Sequence, residues 1–353
     1  METCRTLPYP VHVGRGLLAT LPGLVPELAA AHRIAVITDD TVGPLYADQI
    51  AAALGEDRST LISIPAGEEH KTRVTWARIT DALLDARFGR DSLLIALGGG
   101  VVGDLTGFVA ATYLRGVPVL QVPTTLLAMV DASIGGKTGV DTAHGKNVVG
   151  AFHPPVAVVA DLETLATLPV LERINGLAEA LKHGVICDAP YFDLVAGTDV
   201  SRADWLPLVA RSVAIKAEVV AADEREHGVR KILNFGHTIG HAVEQLMEYR
   251  VPHGACVAFG MLIETRIAIA MDLCDQSLHA RLHGVLEQFG LPTTVPGILT
   301  PDAIVDATIG DKKSRGGAVE YALPARCGAM SGAERGYGTP VSRQTAISAL
   351  RAS

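Results

Sequence analysis

Four short apolar runs punctuate the first half of the chain, and helical spacing follows them. Residues 34–38 (IAVIT) precede an Asp-Asp turn and a helical pattern ending at Leu54. Residues 60–64 (TLISI) precede a polar loop and a helix through 73–87. Residues 93–97 (LLIAL) end in Gly98-Gly99-Gly100, and residues 118–122 (PVLQV) end in Pro123-Thr124-Thr125. Continuous apolar strands alternating with amphipathic helices indicate a parallel sheet covered on both faces. From about residue 170 the period changes. Apolar residues recur at helical spacing over 176–187, 203–221, 229–248 and 254–273, and the next strand is read only at 319–323 (VEYAL). His153-Pro154-Pro155 and Pro169 punctuate the change. The expected organisation is an α/β domain over residues 1–160 with a doubly wound, Rossmann-like parallel sheet. A mostly α-helical domain follows over residues 161–353.

Composition narrows the functions open to this chain. Its 353 residues carry 30 Lys plus Arg against 38 Asp plus Glu, a net charge of −8. An acidic chain lacks the concentrated positive charge that phosphate backbones and anionic membranes demand, so nucleic-acid and membrane partners are not expected. A hydrophobic content of 48% excludes generic disorder. The five cysteines (Cys4, Cys187, Cys256, Cys274, Cys327) are scattered and form no C-x-x-C pair, which fits reduced thiols better than a disulfide framework or a cysteine zinc site. The N-terminus lacks the apolar stretch of a signal peptide. The apolar run 255–263 stops at a charge, short of the ~20 residues needed to cross a bilayer. A cytoplasmic protein is expected.

Candidate chemistry lies in both halves. Residues 98–104 (GGGVVGD) directly follow a predicted strand, where glycines let backbone N–H groups approach phosphate oxygens. The same residues also suit a purely structural turn, and they match neither G-x-G-x-x-G nor a P-loop. Asp39 ends the first strand, placed either to accept from a ribose or to cap a turn. Residues 131–147 (DASIGGKTGVDTAHGKN) put Lys137 and Lys146 on glycine-rich backbone suited to neutralising phosphate. In the second half, RKILNFGHTIGH (230–241), read as one helix, gathers Arg230, Asn234, His237 and His241 into a 60° arc on an apolar helix. Such a stripe must face partners, water or a cavity. Glu179 and Lys182 lie one turn apart on another apolar helix, and His253 opens the next. Two imidazoles and a carboxylate leave an open coordination position, as catalytic zinc sites do.

Together these pieces resemble the 3-dehydroquinate synthase family of sugar-phosphate cyclases. The residues carrying the resemblance are PAGEEHK (65–71), GGGVVGDLTGFVAATYLRG (98–116), VPTTLLAMVDASIGGKTGVDTAHGKN (122–147), GLAEALKHG (176–184), RKILNFGHTIGHAVE (230–244), HGACVAFGM (253–261) and DKK (311–313). The resemblance implies an NAD-binding α/β domain and a helical metal-binding domain with the active site in the cleft between them. It implies conversion of 3-deoxy-D-arabino-heptulosonate 7-phosphate to 3-dehydroquinate and phosphate by transient oxidation, phosphate elimination, reduction, ring opening and aldol closure.

By position, the resemblance assigns a zinc or cobalt ion to Glu179, His237 and His253. It assigns NAD to Asp39, Glu68, Lys71, Gly99, Gly100, Val101, Val102, Gly103, Asp104, Thr124, Thr125, Lys137, Lys146, Thr164 and Thr167. Substrate contacts would come from Asp131, Lys137, Asn147, Lys182, Lys216, Arg230, Asn234, His241 and a lysine of the pair Lys312/Lys313. His241 is expected to shuttle a proton. Arg115 matches an arginine that reaches the phosphate from a neighbouring subunit, which implies a homodimer. The chain departs from common family residues at Gly139, Asn175 and Ala255-Cys256. The alternatives are a cyclase acting on an amino analogue or a heptulose phosphate, a metal-dependent polyol dehydrogenase, and a non-catalytic NAD-binding protein.

Overall fold

The computed structural model describes residues 1–55, 58–295, 297–309, 314–315 and 318–352. The described chain divides into two compact units, residues 1–173 with 204–217, and residues 174–203 with 218–353.

The first unit is built on a seven-stranded sheet. Its strands are β1 (Glu2–Cys4), β2 (Val11–Gly14), β3 (Arg33–Asp39), β4 (Ser59–Ile64), β5 (Ser92–Gly98), β6 (Val119–Pro123) and β9 (Ala157–Asp161). Their spatial order is β1-β2-β9-β6-β5-β3-β4, parallel throughout except for the antiparallel edge pair β1–β2. Between β6 and β9 an antiparallel hairpin, β7 (Lys137–Thr142) and β8 (Gly145–Phe152), occupies a stretch whose glycines read as a loop. The central strands β5, β6 and β9 are buried at every position, so their runs of Val, Leu, Ile and Ala are continuous rather than alternating.

Side chains on alternate faces separate two cores. Ile34, Val36, Leu93, Ile95 and Leu97 pack beneath the short helices α1 (Leu21–Leu24) and α2 (Glu27–Ala30) and beneath α3 (Gly43–Leu54). Ala35, Ile37, Leu94 and Ala96 face α4 (Arg73–Asp85) and α5 (Gly100–Thr112). The helix after β3 therefore covers one face, and the helices before and after β5 cover the other. Strand order reverses between β3 and β5, and the crevice at the carboxyl ends of those strands is where such sheets bind nucleotides.

Asp161, at the end of β9, ties this unit together. Its buried carboxylate accepts N–H bonds from Gly16, Leu18 and Glu163, each at 3.0 Å. Asp161→Ala leaves those donors orphaned, and an increase in unfolding susceptibility worth about 3 kcal/mol is expected. A denaturant midpoint unchanged from the parent would contradict this.

The second unit is helical. It contains the greater part of α6 (Val170–Cys187), then α7 (Ala189–Ala196) and the end of α8 (Trp205–Ala222). After these come α9 (His237–Leu246), α10 (His253–Ala270), α11 (Gln276–Gln288), α12 (Pro301–Ile309) and α13 (Arg343–Arg351). Short antiparallel strands lie at Ala318–Tyr321 and Thr339–Val341. Helix α10 is central: Phe259, Ile263 and Ile267 pack against Ile239, Val243, Ile304, Tyr321 and Ile347. It is as long and apolar as a bilayer span, yet 78% of it is buried inside the protein, as befits a core helix.

The expected helix over 229–248 is two elements. Val229–Asn234 is a 3-10 helix, and α9 starts only at His237. Between them Phe235 leaves the helical region, and Gly236 takes the left-handed conformation at φ 81°. The 60° arc read from the sequence therefore does not exist as one helical stripe. Only His237 and His241 share a helix face, one turn apart.

Candidate active site

In the second unit, Glu179 is fully buried on α6. One of its oxygens, Oε1, lies 3.5 Å from His237 Nε2 and 3.4 Å from His253 Nε2. Its other oxygen pairs with the ammonium of Lys182, one helical turn on and also buried. These spacings are long for a charge-assisted hydrogen bond. They match the edge of a zinc tetrahedron, whose donors at bond lengths of about 2.1 Å stand about 3.4 Å apart. Among the described residues, Glu179, His237 and His253 form a group able to hold a metal ion, with donor atoms all within 4.8 Å of one another.

The far nitrogens of both imidazoles are engaged. His237 Nδ1 donates to the Phe235 carbonyl at 3.2 Å, and His253 Nδ1 faces Glu244 Oε2 at 3.4 Å. Each contact turns Nε2 toward Glu179, the orientation a ligating histidine needs. Burial, and then the Lys182 ammonium, hold the His237 imidazole well below the usual histidine range. Burial also depresses His253, but Glu179 and Glu244 outweigh it and raise that imidazole to about 9. His241, one turn beyond His237, has its ring centroid 5.1 Å from that of His237 and 5.9 Å from that of His253.

Gly236 is the hinge that lets His237 begin a helix. A Cβ there would lie 2.6 Å from Met261 Cγ and 2.8 Å from the Val257 carbonyl oxygen, on top of the left-handed backbone strain. Gly236→Ala is expected to cost about 3 kcal/mol of stability and to loosen the metal donors. Thermal unfolding together with zinc titration checks both effects.

Arg230 is buried, donating from Nη1 to the Glu224 carbonyl at 2.5 Å. Asp223 clamps this loop through the N–H groups of His227, Gly228 and Arg230. Asn234 donates from Nδ2 to Glu226 Oε1 at 2.5 Å.

In the first unit, α5 begins immediately after β5. Gly99 caps it with no side chain, and its first turn holds no acidic residue, so its first N–H groups suit an anion. Thr124, which follows β6, and Thr38, near the end of β3, each carry a buried hydroxyl with no hydrogen-bond partner among the described residues. Asp39 Oδ1 accepts from the N–H groups of Thr41 (2.9 Å) and Val42 (2.8 Å), so the capping role is realised with one oxygen. Thr164 and Thr167 lie beyond β9, where Tyr46 Oη meets Thr167 Oγ1 at 2.5 Å.

Lys71, Asp104, Glu68 and Lys146 form one network. Lys71 Nζ is 2.7 Å from Asp104 and 3.6 Å from Glu68, and Lys146 Nζ is 3.0 Å from Glu68. Burial pushes the Asp104 carboxyl up despite Lys71. Burial likewise raises Asp141 to about 6, although Lys71 opposes it. Lys216 Nζ lies 2.7 Å from Asp131 Oδ1.

The family models for 3-dehydroquinate synthase match the chain's N-terminal part over residues 61–175 and its C-terminal part over residues 176–314. The 3-dehydroquinate synthase of Symbiobacterium thermophilum is 48% identical over 330 residues, 91% of this chain and 92% of the relative. The chain belongs to the 3-dehydroquinate synthase family. A Synechococcus 3-dehydroquinate synthase is also 48% identical, over 86% of this chain and 85% of its own length. Among solved structures, the 2-epi-5-epi-valiolone synthase of Streptomyces hygroscopicus subsp. jinggangensis, with NAD+ and Zn2+ bound, is similar. It has a TM-score of 0.88 and 30% identity over 100% of this chain and 98% of that one.

Residues expected from the 3-dehydroquinate synthase resemblance fall into local groups within each unit. Glu179, Lys182, His237, His241 and His253 cluster in the second; Glu68, Lys71, Asp104 and Lys146 form a network in the first, and Asp131 pairs with Lys216. Lys137 and Arg115 are exposed, and Asn147 takes a left-handed conformation at φ 52°. Lys312 and Lys313 lie outside the described residues. Gly139, a departure from the family pattern, faces Gly150 across the hairpin, and a Cβ there would stand 2.9 Å from the Val149 carbonyl oxygen. Asn175, another departure, accepts the Gly254 N–H beside His253. Sequence reading did not single out Glu226, Glu244 or Glu264, although all three are glutamates on or beside helices otherwise rich in apolar residues.

Proposed function

We propose that this chain is a 3-dehydroquinate synthase, a carbon–oxygen lyase that converts 3-deoxy-D-arabino-heptulosonate 7-phosphate to 3-dehydroquinate and phosphate. The observation carrying the proposal is the buried Glu179–His237–His253 group, with donor spacings of 3.4 and 3.5 Å, in a chain of this family. A divalent zinc or cobalt ion fits those donors. NAD fits the uncapped start of α5 and the orphaned hydroxyls of Thr38 and Thr124 at the strand ends. When bound, NAD would accept and return a hydride without net redox change, and the ion would act as a Lewis acid on the oxygen of the carbon being oxidised.

The chain's own residues bind and orient. Lys137, Lys182, Lys216, Arg230 and Asn234, with one of Lys312/Lys313, supply cations and donors for the phosphate and carboxylate of the substrate. Asp131 and Asn147 complete that set. Holding the phosphate is the main task, because a fixed phosphate oxygen can take the neighbouring C–H proton as the C–O bond breaks. His241 moves a proton at the substrate oxygen beside His237. Arg115 supports a homodimer reading. It is exposed within three successive left-handed residues, Leu114 (φ 48°), Arg115 (φ 69°) and Gly116 (φ 120°), a strained turn of the kind found where a side chain must be presented. In this reading the enzyme is a cytoplasmic homodimer, and Arg115 reaches the phosphate held by its partner.

The test is to incubate the purified chain with NAD, zinc or cobalt, and the heptulosonate phosphate. Equal amounts of phosphate and dehydroquinate, with no accumulating NADH, are expected. Net NADH would instead mark a polyol dehydrogenase. Turnover only of an amino or heptulose analogue would mark a different cyclase.

A further inference from the structure

Helices α9 and α10 run antiparallel along a seam of glycines. A Cβ on Gly236 would press on Val257 and Met261, and one on Gly240 would lie 3.0 Å from the Cys256 carbonyl oxygen. Two buried carboxylates that the mechanism does not use join the ends of this pair. Glu264 of α10 is fully buried, and it accepts the Gly236 N–H at 2.7 Å through Oε2 and the Ile239 N–H at 3.1 Å through Oε1. Those amides belong to the first turn of α9, where no intrahelical carbonyl serves them. At the other end, Glu244 of α9 is 3% exposed and places Oε2 at 3.4 Å from Nδ1 of His253, the first residue of α10.

From this geometry we infer that Glu264 and Glu244 form a reciprocal brace, in which each helix supplies the carboxylate that positions the metal-ligating first residue of the other. The inference rests on the proposed metal reading of Glu179, His237 and His253. Its physical basis is the cost of the arrangement. A buried carboxylate is destabilising unless hydrogen bonds satisfy it, and apolar side chains would pack this seam without that cost. Glu264 fixes the backbone of the turn that carries His237. Glu244 fixes the ring orientation and tautomer of His253. Neither touches the reacting atoms, so both are positioning residues. Partners that hold a ligating imidazole from behind are typically worth about 10- to 100-fold in metal affinity.

The test is competition of zinc ion between a chromophoric chelator and the full chain, with denaturant unfolding of the metal-free protein measured in parallel. E264Q keeps one acceptor oxygen but loses the second, and E244A removes the partner of His253. Both are expected to bind zinc about 10- to 100-fold more weakly than the parent. E244Q, whose amide oxygen still accepts from Nδ1, should fall between the parent and E244A. D161N, destabilised in the other unit, should keep parental affinity. Affinities of E264Q and E244A within twofold of the parent would overturn the brace. So would a loss in D161N equal to theirs, since general destabilisation would then explain both. If E264Q does not fold, the order parent, E244Q, E244A decides alone. A parent chain that takes up no zinc would overturn the metal reading itself, a result separate from either.

Discussion

His237→Ala is expected to weaken zinc binding at least 100-fold and to lower phosphate release from the heptulosonate phosphate by about a thousandfold. The first figure follows from removing one of three protein donors. The second corresponds to roughly 4 kcal/mol of lost stabilisation at the oxygen of the carbon being oxidised, within the several kcal/mol that a Lewis-acid ion supplies. The loss in activity should exceed the loss in occupancy. His241, Glu244 and His253 form a neighbouring group with donor atoms within 4.8 Å of one another, so zinc at high concentration can still lodge nearby without the parental donor set. Metal content by elemental analysis and phosphate release under saturating zinc separate the two effects. Parental turnover in this variant would remove His237 from the site.

Lys137→Ala is the second large effect, and it tests the phosphate-binding role without the complication of a buried side chain. Lys137 is exposed at the start of β7, paired in register with Phe152, so truncating it opens no core cavity. The expected result is a fall in kcat/KM of about 100- to 1,000-fold with an unchanged thermal midpoint, since a charge-assisted phosphate contact that strengthens as the leaving group departs carries about 3–4 kcal/mol. Arg230 cannot be tested so cleanly. It is buried and its Nη1 bonds to the Glu224 carbonyl, so Arg230→Ala costs stability as well as binding. A Lys137→Ala enzyme that keeps parental kcat/KM would strike this lysine from the substrate site.

These expectations rest on residues that the sequence made visible to different degrees. Strands β3, β5 and β6 were legible because unbroken apolar runs are what a sheet buried on both faces requires. The hairpin β7–β8 was not, because its glycines, including Gly139 facing Gly150, imitate a loop while serving close backbone approach. Strand β9 was hidden behind Pro154-Pro155, where punctuation suggested a domain break rather than one more central strand. The break before α9 escaped because apolar spacing continues through the 3-10 turn, and Gly236 alone marks the left-handed residue. The clustering of Glu179, His237 and His253 was legible because imidazoles and a carboxylate stand out on apolar helices. Glu264 was equally conspicuous, but it read as the charge that ends an apolar run. Only the fold shows that its carboxylate points at two amides of another helix.

Both imidazoles of the proposed metal group are the opening residues of their helices, His237 of α9 and His253 of α10. Helix ends are where native secondary structure opens most readily in hydrogen-exchange terms. Placing donors there links cation release to fraying. An ion held as proposed would slow local opening of both first turns, and an opened turn would surrender it. Under the proposed metal reading, occupancy and local order at these two ends rise and fall together with the concentration of the divalent ion.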